Sequence, residues 1–393
     1  MQLKETLLVV LALVAIQASG QQIKIGTYTF PDGGVYQGEM SRGKPYGTGT
    51  TTYANGDTYT GSYVKGVRQG QGTYTWADGE KYEGEWHQNQ QHGRGTYYFA
   101  TNNRYEGLWV RDMQQGHGVM YYYNGDTYDG NWENDKRQGQ GTYTYASGAR
   151  YEGEWDNDMR EGKGTFDWNN GNRYEGYWHE NQMSGKGAYT YASGDKYVGD
   201  WKKDCPHGRG IYTFSDGNRY EGQYVNGERT GEGIYTFANG DKYVGHFLNG
   251  MQEGQGTFTW KGGAVYEGEW HENRQHGHGR YTWAGGGVYE GAWLDGLMHG
   301  EGVMRETDGS KFKGTFEKGL KEGHGILVDA KGIRHEGNFH HGEKHGEFVE
   351  KDRNGNELRR TNYVNGVVQT TPAAADSASQ TKPARPAARS RKR

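Results

Sequence analysis

The sequence predicts an all-β protein: an elongated, single-sheet antiparallel meander of about 14 tandem 23-residue β-hairpins. Three observations predict it. A YEGEW-like element recurs at fixed spacing, glycine supplies 69 of 393 residues, and aromatic residues make up 14% of the chain. Average glycine usage is about 7%. Runs of Val, Ile and Leu are nearly absent beyond the N-terminus. A chain of this length would ordinarily hold two or three globular domains, but this one lacks the aliphatic material for large three-dimensional cores. Strand formers alternate with turn formers instead.

The period is read from the first tyrosine of each element. Tyr36, Tyr59, Tyr82, Tyr105, Tyr128, Tyr151, Tyr174, Tyr197, Tyr220, Tyr243, Tyr266 and Tyr289 lie 23 residues apart, and Phe312 and His335 continue the count. Fixed self-similarity of this length marks a repeat architecture. Within one repeat, Gly72, Tyr74 and Trp76 fall on one side of a strand and Thr73 and Thr75 on the other, because side chains alternate along a strand. Asp78-Gly79 then tolerates positive φ and is expected as the tight hairpin turn. The next strand puts Tyr82, Gly84 and Trp86 on the aromatic face and Glu83 and Glu85 on the opposite one. A looser turn is expected through Asn89, a slot filled elsewhere by Gly43, Asp112 and Gly250. Gly93-Arg94-Gly95 begins the following repeat as a GxG turn that sets the shape of the array. A lone hairpin is marginal in water, so neighbouring repeats have to supply the burial, with glycines leaving room for offset rings.

The two ends depart from the period. Lys4, the apolar run Leu7–Ile16 and Ala18-Ser19-Gly20 read as a signal peptide over 1–20. That run is too short for a membrane span, which needs about 20 residues, so the mature chain is expected to carry none. Residues 21–35 read as an N-terminal half repeat or cap, 36–357 as the array, and 358–369 as a degenerate partial repeat around Tyr363. Met304, Glu306, Leu327 and Asp329 stand where earlier repeats carry GTYTW aromatics, and the period slips after Gly346-Glu347-Phe348. Degenerate terminal repeats blunt an edge strand that would otherwise invite pairing. From 370 the text turns to low complexity, with half of the chain's prolines, and is expected to be a disordered basic tail. Its six cations, Lys382, Arg385, Arg389, Arg391, Lys392 and Arg393, stand against Asp376 alone. The tail therefore nets +5 in a chain of net charge −4, and the residues before it net about −9.

The spacing YEGEW…HGxG, clear in Tyr82–Gly95 with His92-Gly93-Arg94-Gly95 and in Tyr266–Gly279 with His276-Gly277-His278-Gly279, resembles the MORN repeat (membrane occupation and recognition nexus). The resemblance covers 36–357. It implies a twisted ribbon of hairpins and a scaffold that binds partner proteins, self-associates or touches phospholipid. Members that carry kinase or methyltransferase domains imply nothing catalytic here, because no segment outside the repeats is long enough for such a domain. An export signal is a departure from most relatives and argues against inner-leaflet lipid partners.

The paired glutamates could suggest glycoside hydrolysis, which needs two carboxyl groups about 5–9.5 Å apart with divergent pKa values. Repetition argues against it, since Glu83 and Glu85 recur in several repeats and give way to Gln223 and Ala292 in others. They are read as a solvated face, with no catalytic residues. Nine of the fifteen histidines fall between His271 and His345, including His276/His278 and His340-His341…His345, and clustered imidazoles could bind Zn²⁺ or similar ions. However, His92, His207, His276, His299 and His345 share one slot before glycine that Gln, Glu, Ser and Thr also fill. They are therefore read as turn-capping residues, with no metal and no cofactor expected. The glycines are no phosphate cradle, because no helix follows them. Cys205 excludes an internal disulfide framework and reads as a tolerated turn residue.

These readings converge on an exported, non-enzymatic scaffold for an unidentified protein partner. Its expected working surface is the ladder of Tyr82, Trp86, Tyr105, Trp109, Tyr128, Trp132, Tyr151, Trp155, Tyr174, Trp178, Tyr197, Trp201, Tyr266, Trp270, Tyr289 and Trp293. The alternative is a glycan- or phospholipid-binding ribbon that uses this ladder and the basic tail on an anionic surface. Open edges predict self-association into homo-oligomers, and an exported chain predicts no nucleic-acid partner.

Overall fold

The computed structural model describes residues 22–369, so the expected signal peptide and the basic tail with its six cations lie outside the described residues. The chain divides into two compact units, the first ending at Thr230 and the second beginning at Gly231. In both units the described residues are strands and turns, with no helix among them.

The first unit runs from Ile23–Thr29 and Val35–Ser41 through Arg219–Val225, with seven- and nine-residue strands alternating after the start. Each strand pairs antiparallel with the one before and the one after. Lys81–His87, for example, pairs with Val67–Thr75 on one side and Gln90–Tyr98 on the other. The second unit, from within Glu228–Thr236 to Val367–Val368, repeats this order through pairs such as Lys242–Leu248 with Met251–Thr259. Each unit is thus an antiparallel meander of hairpins.

The register explains the repeat text. Tyr82 stands opposite both Tyr74 and Tyr97, and Gly84 opposite both Gly72 and Gly95. The Tyr82 ring lies along its own strand, across these glycines, and its hydroxyl donates to the Glu85 carbonyl at 3.0 Å. A Cβ on Gly84 would come within 2.5 Å of the Gly95 Cα and 2.6 Å of the Tyr82 hydroxyl. These two positions must be glycine because a ring and a neighbouring backbone already occupy the space.

Two expectations about turns are reversed. Asp78-Gly79 is not the tightest turn: Gly79 N–H donates to the Trp76 carbonyl and Trp76 N–H to the Glu80 carbonyl, closing a longer loop in which Gly79 has positive φ. The two-residue turn is the other one, Gln88-Asn89, with φ of 50° and 68°. Both central residues are left-handed, the signature of a type I′ turn. The GxG text is no turn either. The register shifts between Gly84 and Glu85, so that Glu85 faces His92 while Gly84 faces Gly95. Gly93-Arg94 is therefore a bulge inside the nine-residue strand, and Gly93 supplies its positive φ of 59°.

The Asn89 slot also ties one repeat to the next. Asn89 N–H donates to the Arg68 carbonyl at 3.1 Å, while its side-chain oxygen accepts from Arg68 N–H at 2.7 Å. Asp112 with Gln91 and Asp135 with Gln114 repeat the two-way clamp. Where glycine fills the slot, as at Gly319, the backbone bond remains, here to the Met298 carbonyl at 2.9 Å. Gly, Asn and Asp share the position because all three accept left-handed φ, and the latter two add an acceptor.

At the C-terminal end the slip in period is a compensated exchange. His335 occupies the tyrosine slot, and Phe348 replaces the glycine opposite Gly337. The Phe348 ring, fully buried, stands where the tyrosine ring would lie and meets Phe339 at 5.3 Å and 87°. The ring now comes from the other strand of the pair. His335 turns instead to Asp329 and Glu350, both within 3.3 Å.

Candidate interaction surface

The aromatic face holds two rows of rings. The inner row is made of the tyrosines and tryptophans of the YEGEW elements. Tyr82 meets Trp86 of its own repeat at 5.2 Å and Trp109 of the next at 5.4 Å, both edge to face. Tyr105, Tyr128, Tyr151 and Tyr174 repeat this in the first unit, and Tyr266 with Trp270 and Trp293 in the second. Each such contact contributes about 0.5–1.5 kcal/mol beyond area burial. Each indole N–H also donates across the ladder, as Trp86 Nε1 does to the Gly72 carbonyl at 3.1 Å.

The expected working surface is therefore a core. Tyr82, Tyr105, Tyr128, Tyr151, Tyr174, Tyr197, Tyr266 and Tyr289 are fully buried. Trp86, Trp109, Trp132, Trp155, Trp178, Trp201, Trp270 and Trp293 are between 3 and 8% exposed. Alternation places these residues on one face, but the rings lie flat over glycines and close on one another. Burial pushes the phenols of Tyr36, Tyr220 and Tyr289 up to about 12, and those of Tyr82, Tyr105 and Tyr266 above the ordinary phenol range. These hydroxyls stay neutral near pH 7.

The outer row is the part solvent reaches. Tyr74, Trp76, Tyr97 and Phe99 are half-buried and touch in sequence at 4.5, 5.2 and 4.6 Å with tilted planes. Trp168, Tyr189, Tyr191, Tyr212 and Phe214 continue the pattern in the first unit, and Phe237, Phe258, Trp260, Tyr281 and Trp283 in the second. Arginines cap the inner tryptophans from this side. The guanidinium carbons of Arg68, Arg137 and Arg160 stand 4.3–4.4 Å from the ring centres of Trp86, Trp155 and Trp178. In the first unit, Trp76, Tyr97, Phe99, Met120, Tyr122 and Arg137 line an open cavity of about 630 Å³. The first row was legible from the tyrosine period, whereas the outer row differs from it in exposure, which alternation alone does not encode.

Carboxylates join the outer row to the turns. Asp57 accepts from the Tyr74 hydroxyl at 2.6 Å and from Ala77 N–H at 2.9 Å, and Asp126 treats Tyr143 and Ala146 alike. Burial pushes both carboxyls up, but the hydrogen bonds from tyrosine, backbone and the neighbouring Asn outweigh it and hold them below the usual range. Glu80 takes the same place for Tyr97.

The two glutamates of YEGEW have separate structural roles on the opposite face. Glu85 accepts from Arg94 N–H at 2.9 Å, the amide that the bulge releases from the ladder. Glu39, Glu154, Asp200 and Glu269 do the same for Thr48, Lys163, Arg209 and His278. Glu83 instead pairs with Lys81 along its strand at 2.8 Å, as Glu152 does with Arg150 at 2.6 Å. The five slot histidines are not uniform turn caps. His345 bonds the turn residue Asn365 at 3.1 Å, but His207 Nδ1 and His276 Nδ1 are buried without a partner among the described residues. Cys205 is half-buried at the start of the strand Cys205–Thr213, not in a turn.

A family model for the MORN repeat matches fifteen consecutive stretches, from 25–35, 36–58 and 59–81 through to 312–334 and 335–356. A search of curated proteins finds no match. Among solved structures, the TCP domain of SAS-4 from Drosophila melanogaster, in complex with a proline-rich motif of Ana2, is 16% identical. That match covers 40% of this chain and 85% of the other with a TM-score of 0.26. The TCP10 domain of CPAP from Danio rerio is 11% identical over 73% of this chain and 96% of its own, with a TM-score of 0.24. Virginiamycin B lyase from Staphylococcus aureus is 9% identical over 78% and 91%, with a TM-score of 0.12.

Proposed function

We propose that this chain, which belongs to the MORN-repeat family, works as a non-enzymatic scaffold that binds a protein partner through its outer aromatic row. MORN repeats are repeat scaffolds of protein or membrane-lipid interaction. The observation that carries the choice is burial. The inner rings pack on one another, which removes the inner tryptophans as stacking platforms for sugars. What remains for a partner is a half-buried strip of Tyr, Trp and Phe edges rimmed by arginines, the residue types that dominate protein interfaces. The absence of catalytic work is supported by the roles of the carboxylates, since Glu85 serves the bulge and Asp57 serves Tyr74.

Export rests on Lys4, Leu7–Ile16 and Ala18-Ser19-Gly20. It puts the partner in the cell envelope or secretory compartment. The test is cosedimentation of the purified protein with the cell's own envelope fraction, before and after exhaustive protease treatment of that fraction. Lost binding after treatment supports a protein partner, and retained binding overturns it in favour of glycan or phospholipid. Removing 370–393 abolishes vesicle binding only if the basic tail is the lipid contact. Self-association is proposed from the exposed first strand, where Ile23 and Ile25 are 51% and 81% exposed. A sedimentation mass equal to one chain at micromolar concentration contradicts it.

A further inference from the structure

The nine-residue strands carry a recurring side-chain acceptor at their third position. Gln69, Glu161 and Glu253 each accept the N–H of a type I′ turn residue 19 positions on, at 2.9–3.1 Å. Each also bonds the Nδ1 of the histidine before that turn residue: His87, His179 and His271, at 3.0–3.1 Å. In these three copies the turn residue is Gln88, Glu180 or Glu272, and the second imidazole, where there is one, comes from the slot before glycine: the His92 and His276 rings stand 5.4 and 5.5 Å from those of His87 and His271.

One copy differs. Glu322 Oε2 accepts His341 N–H at 2.9 Å, and Glu322 Oε1 lies 2.9 Å from His340 Nδ1. Here the turn residue is itself a histidine, held at φ 50°. The rings of His340 and His341 have centres 4.0 Å apart, and one ligand atom from each of the three side chains lies within 4.8 Å of the other two. The His345 ring stands a further 5.8 Å from that of His340.

We propose that Glu322, His340 and His341 form a binding site for a divalent transition ion of the zinc class. Two imidazole nitrogens and one carboxylate oxygen are a donor set that suits Zn²⁺, Ni²⁺ or Cu²⁺ over Mg²⁺ or Ca²⁺. Ligand atoms around a tetrahedral zinc stand roughly 3.3 Å apart, so the set closes on an ion by rotation of two exposed imidazoles. The carboxylate does not have to move, because its second oxygen is already tied to the turn. That bond orients the ligand in the way outer hydrogen bonds orient ligands in metal sites generally. The fourth position is open to His345 or water. His340 and His341 belong to the histidine cluster visible in the sequence, where the metal is discounted on the histidines of the slot before glycine. The site uses a different slot, and its carboxylate comes from the preceding repeat, 18 residues away.

The test is calorimetric titration of the untagged full chain with ZnCl₂ at pH 7.5, beside His341→Asn and His271→Gln. Asparagine already fills the same turn slot at Asn134, Asn157, Asn226 and Asn249 with φ near 50°, so His341→Asn keeps the fold. One zinc per chain is expected in the wild type. His341→Asn is expected to weaken it at least about tenfold, while His271→Gln, in a copy whose turn residue is Glu272 and not histidine, leaves it unchanged. Titrations that are alike for wild type and His341→Asn overturn the proposal, as does an equal loss in His271→Gln.

Discussion

Replacing Gly95 with alanine tests the ring-over-glycine packing that sets the period. The added Cβ would stand 2.5 Å from Tyr82 Cε2, where ordinary contact begins at about 3.4 Å. Gly95 does not have positive φ, so the backbone tolerates alanine and the cost is steric. The ring has nowhere to go: it is fully buried, its hydroxyl holds the Glu85 carbonyl, and Trp86 and Trp109 flank it at 5.2 and 5.4 Å. Overpacking a filled core costs about 1–3 kcal/mol. Loss of glycine freedom from the unfolded chain offsets about 0.4–1 kcal/mol of that. A net loss of about 1–2 kcal/mol is expected for Gly95→Ala alone. In a Tyr82→Ala background the methyl has room, and the same change should be neutral or slightly stabilising. The measurement is a double-mutant cycle, read by native-state hydrogen exchange of the amides around 84–95, because tandem repeats do not unfold as a single two-state block. A cost below about 0.5 kcal/mol, or an equal cost in both backgrounds, would refute the packing argument.

Three further outcomes follow from the same geometry. Glu85→Ala removes the acceptor for the Arg94 amide at the bulge and should destabilise by about 1 kcal/mol in the same hydrogen-exchange measurement, whereas Glu83→Ala, which loses only a surface ion pair, should change little. At the turn clamp, Asp112→Gly loses the acceptor for Gln91 N–H but keeps φ of 67° strain-free. Asp112→Ala should therefore melt lower than Asp112→Gly, by about the 1–2 kcal/mol that left-handed backbone costs a residue with a Cβ. Asp57 and Asp126 are held below their ordinary value, so their contribution is present at all pH above about 3.9 and is lost as pH falls through the folded values. Thermal melts from pH 7 to 2 should show an acid limb that is shallower in Asp57→Asn, and identical limbs would contradict the linkage.

Much of this fold was legible because the period fixes which residues can face each other. Tyr82, Gly84 and Trp86 share a face by alternation, and that face is buried as a ladder. Alternation could not reveal which turn was tighter. Asp-Gly looks like a two-residue turn, yet Gln88-Asn89 takes both left-handed positions while Asp78 takes none. Nor could it separate a bulge from a turn in Gly93-Arg94-Gly95, since both demand a positive-φ glycine. The roles of the carboxylates were hidden for a different reason. Glu85 and Asp57 act on backbone N–H groups 9 and 20 residues away, and such partners leave no pattern in side-chain identity.

The division between inner and outer rows also says where specificity must reside. Most residues that recur with the period already have a structural duty: tyrosine over glycine, tryptophan against tyrosine, glutamate on the bulge, Asn or Asp across the turns. A surface that repeats identically would bind a partner in every register, so selectivity has to come from positions that break the period. Those positions are identifiable. Tyr123, 75% exposed, stands in a turn slot that is alanine at Ala77, Ala100 and Ala146. Tyr177, 43% exposed, replaces the bulge-binding carboxylate of Glu85 and Glu154. Met120 interrupts the outer row between Phe99 and Tyr122 and lines the same cavity. Tyr123→Ala restores the period at an exposed site, so it should leave the melt unchanged while weakening capture of the envelope partner in the cosedimentation assay. Binding unaltered by Tyr123→Ala, Tyr177→Glu and Met120→Tyr together would mean that the partner reads the periodic strip itself, and that recognition is set by length and not by local side chains.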